Sequence, residues 1–242
     1  MRFSRHLQSN INMLTIDIIS VQPTMFRGFL EESIVARAVK KLACKINIIN
    51  LRDYAEGTYR KVDDKIYGGG PGMLMMCPPW FKAVEGCLEG KVSRSRVIMT
   101  SPAGRKFDQK AAEELAKEEH IVFMCGHYEG FDARIETLAT DMFSIGDFVM
   151  TGGELAAAAM TDAIVRLLPG VLGGGVAATA SESFSNDGIL EAPQYTHPVD
   201  FRGMKVPDVL LSGNHAKIEA WRKSKALELT KERRADILNS KT

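Results

Sequence analysis

The chain of 242 residues is organised around one stretch, Ser144-Ile145-Gly146-Asp147-Phe148-Val149-Met150-Thr151-Gly152-Gly153-Glu154-Leu155. Its first apolar run ends at a glycine and an aspartate, and a glycine pair then opens an alanine-rich helix predicted over 154–168. Glycines let backbone amides and carbonyls approach a ligand without a side chain in the way. In an open α/β sheet, loops at strand ends are where small ligands bind. Taken alone, the stretch fits a binding loop and an ordinary turn before a helix equally well.

Two further candidate strands end in loops of the same kind. The apolar run 96–100 leads into Ser101-Pro102-Ala103-Gly104-Arg105, and the run 121–125 leads into Gly126-His127-Tyr128-Glu129-Gly130. Other candidate strands are 14–19 and 46–51, with helical stretches between the strands. This alternation predicts an α/β fold with a parallel sheet and flanking helices. Three glycine loops from neighbouring strands would meet at one edge of the sheet, so the sequence predicts a pocket lined mostly by main chain, suited to an adenine and a ribose.

Helix starts are marked by polar residues that can cap the free backbone amides. Thr24 is the predicted cap of a helix that runs past Ile34, and Asp108 is the predicted cap of an amphipathic helix over 107–119. A second glycine-rich segment, Tyr67-Gly68-Gly69-Gly70-Pro71-Gly72-Met73, cannot form a helix or the interior of a strand. It fits a connector, or a binding loop whose entrance is crowded by polar side chains. These are Arg60, Asp63, Asp64 and Tyr67.

Composition excludes several classes of protein. Charged residues make up 25% of the chain and the net charge is +1, so any nucleic-acid footprint must be local. The four cysteines form no CxxC pair and the five histidines show no metal-binding spacing, which predicts no metal site and a reducing compartment. No apolar run approaches the length of a membrane span. Residues 1–12 lack the apolar core of a signal peptide, so we expect a polar N-terminal extension on a cytoplasmic protein.

The composition changes after Leu172. Residues 173–188 are rich in glycine, alanine and serine, without apolar periodicity, and predict a flexible linker. Residues 189–242 form a small module with two predicted helices, the first capped within 212–214. Its tail holds the one clear basic excess, which fits phosphate contacts and a solvated helical face nearly equally. In the long helix before the linker, Asp162 and Arg166 lie one turn apart, which fits a surface ion pair or a guanidinium aimed at a substrate oxygen.

Six motifs in order along the chain carry a resemblance to a known family. They are Tyr67-Gly68-Gly69-Gly70-Pro71-Gly72-Met73, Ser101-Pro102-Ala103-Gly104-Arg105, Cys125-Gly126-His127-Tyr128-Glu129-Gly130, the stretch 144–155, Arg166 with Pro169-Gly170-Val171-Leu172-Gly173, and Leu210-Leu211-Ser212-Gly213-Asn214-His215. Together they resemble the bacterial tRNA (guanine-N1)-methyltransferase family, TrmD, of the SPOUT superfamily. The resemblance covers essentially everything from Met13 onward.

The resemblance implies a fold and a cofactor. Residues 13–172 would form a SPOUT methyltransferase domain with a deep trefoil knot, which ordinary topology rules would reject. Residues 173–188 would be the linker and 189–242 a small, mostly helical tRNA-binding domain. S-adenosylmethionine would bind in the knot loops. The implied cofactor-binding residues are Pro102, Gly104, Gly126, Tyr128, Glu129, Ile145, Gly146, Asp147, Phe148, Val149, Met150, Gly152 and Gly153. The resemblance also implies that magnesium assists, with no ligand cluster in the sequence to identify a site.

The implied reaction is methylation of N1 of guanosine 37 in tRNA, next to the anticodon, by an obligate homodimer whose active site is built from both subunits. The implied partners are therefore tRNA and a second copy of the chain, with no DNA and no membrane. Because guanine N1 must lose its proton before it attacks the methyl group, the reaction needs a base and a cation near O6. The base position of the family falls on Glu182, in the linker, and the cation on Arg166.

This chain departs from the family pattern at three positions. The family base is an aspartate before a Ser-Phe pair, whereas this chain has Glu182-Ser183-Phe184, with Asp187 as the alternative base. His127 stands where arginine is common, and Ala156 where proline is common. A non-catalytic RNA-binding relative that has lost its base is the rival hypothesis. A nicotinamide-dependent oxidoreductase is excluded, since it would carry GxGxxG after the first strand and residues 16–26 contain no glycine.

Overall fold

The structure, a computed structural model, describes residues 13–90, 95–173, 179, 182–185 and 188–239. They form two compact units that divide between Leu172 and Gly173. Within these ranges, no helix is both long and apolar enough to cross a bilayer.

The first unit is built on a parallel sheet. Its strands are β1 (Leu14–Ser20), β2 (Cys44–Asn50), β5 (Ser95–Lys106), β6 (His120–Met124) and β7 (Asp141–Ser144). They lie in the order β2-β1-β6-β5-β7, and each neighbouring pair is parallel. A short antiparallel pair, β3 (Asp63–Asp64) and β4 (Leu74–Met75), stands apart from this sheet. The parallel α/β fold predicted from the alternating apolar runs is confirmed.

Helices cover both faces of the sheet, as parallel sheets require. The first unit contains α1 (Arg27–Glu31), α2 (Ser33–Lys40), α3 (Cys77–Leu88), α4 (Gln109–Leu115) and α5 (Glu154–Val165). Side chains along β6 alternate between the faces: Ile121 and Phe123 pack in the core with α4 and α5. Val122 and Met124 pack on the other face, in the core with α3.

Two predicted helix starts have different outcomes. Asp108 does cap α4, since its carboxylate accepts a hydrogen bond from the backbone N–H of Ala111 at 2.8 Å. The prediction for Thr24 is wrong, because Gln22 occupies the cap position and residues Pro23–Phe26 form a 3-10 helix. The single helix expected past Ile34 is also wrong, since the extended backbone of Glu32 separates α1 from α2.

The strand β5 is much longer than the predicted 96–100, because it leaves its neighbour β7 and returns to it. Thr100 and Arg105 both pair with Phe143, so the four residues 101–104 form an excursion inside one strand. Gly104 lets the chain return closely: an added Cβ there would lie 2.5 Å from the backbone nitrogen of Phe143 and 2.6 Å from the carbonyl carbon of Met142. The predicted loop 101–105 is therefore anchored on β7 at both ends.

The second unit is mostly helical, as predicted. It contains a short hairpin, β8 (Asp200–Phe201) and β9 (Met204–Lys205), followed by α6 (Asp208–Leu211), α7 (His215–Arg233) and α8 (Ala235–Asn239). The expected cap within 212–214 is Asn214, whose side-chain oxygen accepts from the N–H of Lys217 at 3.1 Å. The trefoil knot stays a prediction.

Candidate active site

A cavity of about 620 Å³ lies at the carboxyl ends of β5, β6 and β7, within the range of small-molecule sites. Its walls come from three parts of the chain: residues 99–103 in β5, residues 126–133 after β6, and residues 142–145, 148–153 and 156 from β7 to the start of α5. Glu136 completes the lining. The structure thus brings together the three glycine loops predicted to share one sheet edge. Predicted cofactor residues that line this cavity are Pro102, Gly126, Tyr128, Glu129, Ile145, Phe148, Val149, Met150, Gly152 and Gly153.

Three predicted cofactor residues lie outside the lining. Gly104 serves the close packing of β5 on β7 described above. The carbonyl of Gly146 accepts hydrogen bonds from the Ser144 hydroxyl at 2.9 Å and from the N–H of Phe148 at 3.0 Å, which shapes the turn beside the cavity. The side chain of Asp147 is exposed. The resemblance to the family names these residues because they belong to the same motifs as the residues that line the cavity. A motif alone does not distinguish a glycine that supports a loop from a glycine that borders a ligand.

The floor of the cavity is held by backbone contacts that only glycine permits. Gly153 donates its N–H to the carbonyl of Gly126 at 2.7 Å. An added Cβ at Gly153 would overlap the hydroxyl of Thr100 and lie 3.0 Å from the nitrogen of Gly126. The Thr100 hydroxyl in turn donates to the carbonyl of Met124 at 3.0 Å. The glycine pair therefore brings the start of α5 against the ends of β5 and β6.

The glycine-rich segment 67–73 reaches this site at one end only. The backbone N–H of Glu129 donates to the carbonyl of Met73 at 3.0 Å, and the Glu129 side chain occupies the space where a Cβ of Gly72 would stand. Gly72 has φ +81°, a conformation that favours glycine. The side chain of Tyr67 is 98% exposed. Among the charged residues at the entrance, Arg60 pairs with Asp53 and Lys61 with Asp64, both at the surface.

Sequence reasoning missed the role of a buried carboxylate beside the cavity. Glu154 is 2% exposed, and its Oε1 accepts a hydrogen bond from the Ser20 hydroxyl at 2.7 Å. Burial raises the pKa of the neighbouring Cys125 well above its ordinary value, and the charge of Glu154 adds to that shift. An acidic residue in the first turn of a helix is common for electrostatic reasons, so no pattern in the sequence indicates that this carboxylate is buried.

The two predicted catalytic residues lie in different units. Arg166 follows the last residue of α5 in the first unit, outside the residues that line the cavity, and its backbone N–H donates to the carbonyl of Asp162. Glu182 belongs to the second unit, where its carbonyl accepts from the N–H and the hydroxyl of Ser185 at 3.1 and 2.5 Å. Asp187, the alternative base, lies outside the described residues.

The segment of Glu182 is anchored within the second unit. The N–H of Phe184 donates to the carbonyl of Ile189 at 2.8 Å, and the Ser183 hydroxyl accepts from the N–H of Glu191 at 3.0 Å. The guanidinium of Arg234 lies 5.8 Å from the centre of the Phe184 ring. These contacts hold the backbone that follows Glu182.

The second unit carries its own groove, of about 1130 Å³, with Tyr195, His197, Arg222 and Lys223 among its walls. Part of the basic excess of its helices is balanced by exposed ion pairs: Lys223 with Glu219, Lys225 with Glu228, and Arg234 with Asp236. Within the described ranges, no three His, Cys, Asp or Glu side chains cluster as a metal site would require.

Comparison with known proteins finds one family. A family model described as tRNA (Guanine-1)-methyltransferase TrmD matches residues 14–240. A protein of Listeria welshimeri named tRNA (guanine-N(1)-)-methyltransferase is 52% identical over 229 residues, which are 94% of this chain and 93% of the relative. A protein of the same name from Bacillus pumilus is 51% identical over 228 residues, with the same coverage of both chains.

Proposed function

Because the chain belongs to the tRNA (guanine-1)-methyltransferase TrmD family, we propose that it transfers a methyl group from S-adenosylmethionine to N1 of guanosine 37 in tRNA. The observation that carries the proposal is the cavity of three glycine-bordered strand ends, in a chain that matches this family over nearly its whole length. A tRNA substrate places the reaction in the cytoplasm.

The cavity fits the chemistry of S-adenosylmethionine. Apolar side chains of Pro102, Ile145 and Met150 suit the faces of an adenine, while the glycines leave main chain uncovered by side chains along the wall of the cavity. Glu129 supplies a carboxylate at the wall that suits a cationic group of the ligand. When bound, S-adenosylmethionine supplies a methyl group already activated by its sulfonium.

The protein must then supply a base and a counter-charge for guanine. In our proposal the carboxylate of Glu182 takes the proton from N1. The N1 electron pair would form the bond to the methyl carbon while the bond between this carbon and the sulfonium sulfur breaks, and S-adenosylhomocysteine would be the leaving group. Negative charge on O6 grows as the proton leaves, and the guanidinium of Arg166 stabilises it. Glutamate and aspartate have similar ordinary pKa values, about 4.3 and 3.9, so the exchange keeps a carboxylate base at neutral pH.

We also propose that the enzyme is a homodimer with an active site shared between its subunits. Support comes from large apolar side chains left exposed beside the cavity: Phe148 at 55%, Val149 at 88% and Leu155 at 60%. Exposed apolar groups close together are typical of an interface. In this proposal the second unit of the chain binds the tRNA. Magnesium assistance stays a prediction without assigned ligands.

The reaction is tested with labelled S-adenosylmethionine and a tRNA transcript that carries guanosine 37, using the wild type, Glu182→Gln and Asp187→Asn. We expect Glu182→Gln to lower the rate at least about a hundredfold, the usual size of a general-base contribution, while S-adenosylmethionine still binds. A transcript with adenosine at position 37 controls for specificity.

Two other outcomes of this assay would contradict the proposed role of Glu182. If only Asp187→Asn loses activity, the base is Asp187. If the wild type transfers no methyl group to guanosine 37, the non-catalytic hypothesis replaces our proposal.

The dimer is tested by sedimentation. We expect the wild type to have the mass of two chains and Leu155→Glu to shift toward one, because a buried unpaired carboxylate opposes association. A wild type that sediments as a single chain at all concentrations contradicts the shared site.

A further inference from the structure

His127 stands beside the buried carboxylate of Glu154. Its Nδ1 lies 3.7 Å from Glu154 Oε2, and in the described part of the chain this nitrogen is buried without a hydrogen-bond partner. The two side chains are 21% and 2% exposed. A carboxylate so deeply buried is costly unless a cation or several donors face it. Ser20 supplies one donor to Oε1, and His127 is the basic group beside Oε2.

The space between these two groups is kept open by a glycine. An added Cβ at Gly152 would lie 2.6 Å from His127 Nδ1 and closer still to Glu154 Oε2. His127 and Gly152 also form an isolated backbone bridge, which holds the imidazole at this position. The arrangement therefore leaves the ring nitrogen and the carboxylate facing each other directly.

The pair connects parts of the molecule that form separate walls of the cavity. His127 belongs to the segment after β6, and Gly152 and Gly153, next to Glu154, belong to the segment that opens α5. Ser20 extends the connection to the end of β1. Any change in the strength of the contact between His127 and Glu154 thus acts on the distance between two walls.

We propose that His127 is a positioning residue that ties these two walls together when its imidazole is doubly protonated, so that the affinity for S-adenosylmethionine falls as the ring loses its proton. The inference rests on the proposed function. A protonated ring is attracted to the Glu154 carboxylate, whereas a neutral ring offers no net charge. By linkage, binding of the cofactor must favour the protonated ring to the same extent.

Other groups near His127 do not replace this pair. Its own segment brings the Tyr128 ring, in edge contact at 4.9 Å, with Glu129 and the protonated thiol of Cys125. β4 brings Met75, whose sulfur accepts the backbone N–H of His127 at 3.2 Å, and the segment before α5 brings Gly152. Asp132, bonded through its N–H to the Met75 carbonyl, directs its carboxylate to Arg134. Glu154 is the carboxylate that the structure places in ion-pair reach of the ring.

The test measures the dissociation constant of S-adenosylmethionine by calorimetry between about pH 5.5 and 8, for the full-length wild type, His127→Arg and His127→Gln. Arginine stays charged over this range and glutamine stays neutral, so any titration of the ligand itself is common to all three proteins. We expect the wild-type constant to rise about fivefold more than those of both variants, at the lower end of typical couplings between linked sites.

A second readout is proton uptake, obtained from binding enthalpies in buffers with different ionisation enthalpies. We expect the wild type to take up more protons on binding near neutral pH than either variant does. If His127→Arg does not fold, as judged by circular dichroism, His127→Gln alone decides, because its constant should follow only the titration of the ligand.

The outcomes separate the inference from the function. Parallel curves and equal proton uptake in the wild type and the variants overturn the role of His127 while leaving the methyltransferase proposal intact. A wild type that binds no S-adenosylmethionine at any pH overturns the proposed function itself.

Discussion

The side chain of Thr100 joins β5 to the end of β6 under the cavity. Its hydroxyl donates to the carbonyl of Met124 and accepts the N–H of Gly126 at 3.4 Å, which links β5 to the end of β6. Gly153 approaches so closely that no Cβ fits between it and this hydroxyl. The geometry of the cavity floor therefore depends on a glycine at position 153, where any larger side chain would collide with Thr100.

Gly153→Ala tests this dependence. We expect overpacking to cost about 1–3 kcal/mol of stability. If a cost of this size falls on the complex and not on the free protein, S-adenosylmethionine binding would weaken about fivefold to 140-fold. The matched control is Gly28→Ala on the exposed face of α1, where an added Cβ meets no atom within 4 Å. There the free energy of unfolding should rise by up to about 1 kcal/mol with unchanged affinity. Thermal unfolding and calorimetry measure both effects, and wild-type affinity in Gly153→Ala would contradict the close packing.

At the scale of elements, side chains connect four neighbouring strands across the sheet. The carboxylate of Asp17 on β1 accepts a hydrogen bond from Asn47 on β2 at 2.5 Å and contacts Nε2 of His120 on β6 at 2.9 Å. Nδ1 of His120 lies 2.8 Å from the hydroxyl of Ser95 on β5. Because the low dielectric of the interior strengthens such bonds, this buried network fixes the register of the strands as well as their pairing.

Asp17→Ala should therefore lower the free energy of unfolding by about 3 kcal/mol, because it leaves buried polar partners unsatisfied. Ser95→Ala removes only the outermost hydroxyl and should cost about 1 kcal/mol. Urea denaturation of both variants measures the difference. Equal costs would show that the network does not act as a unit centred on the carboxylate.

A second connection between elements, an ion pair between β5 and β7, predicts how the stability of the fold changes at low pH. Arg96 on β5 donates to both carboxylate oxygens of Asp141 on β7, at 2.8 and 2.5 Å, and to Glu118 at 3.2 Å. Burial raises the pKa of Asp141, but hydrogen bonds from Arg96 and Thr140 outweigh burial and leave this pKa below its ordinary value. A lowered pKa means that the pair stabilises the fold above the unfolded value of about 3.9 and loses this effect as pH falls through the folded value.

Arg96→Met should thus be less stable than the wild type at neutral pH, with the difference shrinking as pH falls below about 4. Denaturation curves at several pH values measure it. The control is Lys61→Met, which breaks the exposed pair with Asp64 and should leave the free energy of unfolding nearly unchanged at every pH. A difference between Arg96→Met and the wild type that is constant with pH would exclude the carboxylate as its cause.

For the whole molecule, the division into two units separates the cavity from the proposed base. Every residue that lines the cavity precedes Leu172, whereas Glu182 follows it. A chain shortened to end at Leu172 should bind S-adenosylmethionine with the affinity of the full chain and transfer no methyl group to tRNA. Full-length Glu182→Gln is the matched control, since it should keep the affinity for S-adenosylmethionine and show the large loss of methyl transfer expected for it above. Methyl transfer by the shortened chain would rule out a base in the second unit.

The sequence predicts the parts of this molecule that depend on local pattern. Apolar runs that alternate with helical stretches indicate the parallel sheet. The Asp108 cap is also a local feature, since its hydrogen-bond partner Ala111 lies only three residues further along the chain. Contacts between distant residues are not predictable in this way: Ser20 and Glu154 are 134 positions apart, and Asp17 and His120 are 103 apart. The break between α1 and α2 also escapes prediction, because it places Ser33 at φ +59°, which few serine residues adopt.

The excursion of β5 over residues 101–104 also limits which insertions and deletions the fold of this chain can tolerate. Both of its ends are held against Phe143, so the number of residues between Thr100 and Arg105 is part of the strand register. Substitutions within 101–103 change side chains that line the cavity but leave the strand register as it is. An insertion or deletion of one residue would turn Arg105 and Lys106 to opposite faces of the sheet. We therefore expect the length of this segment to stay fixed in every functional variant of the chain.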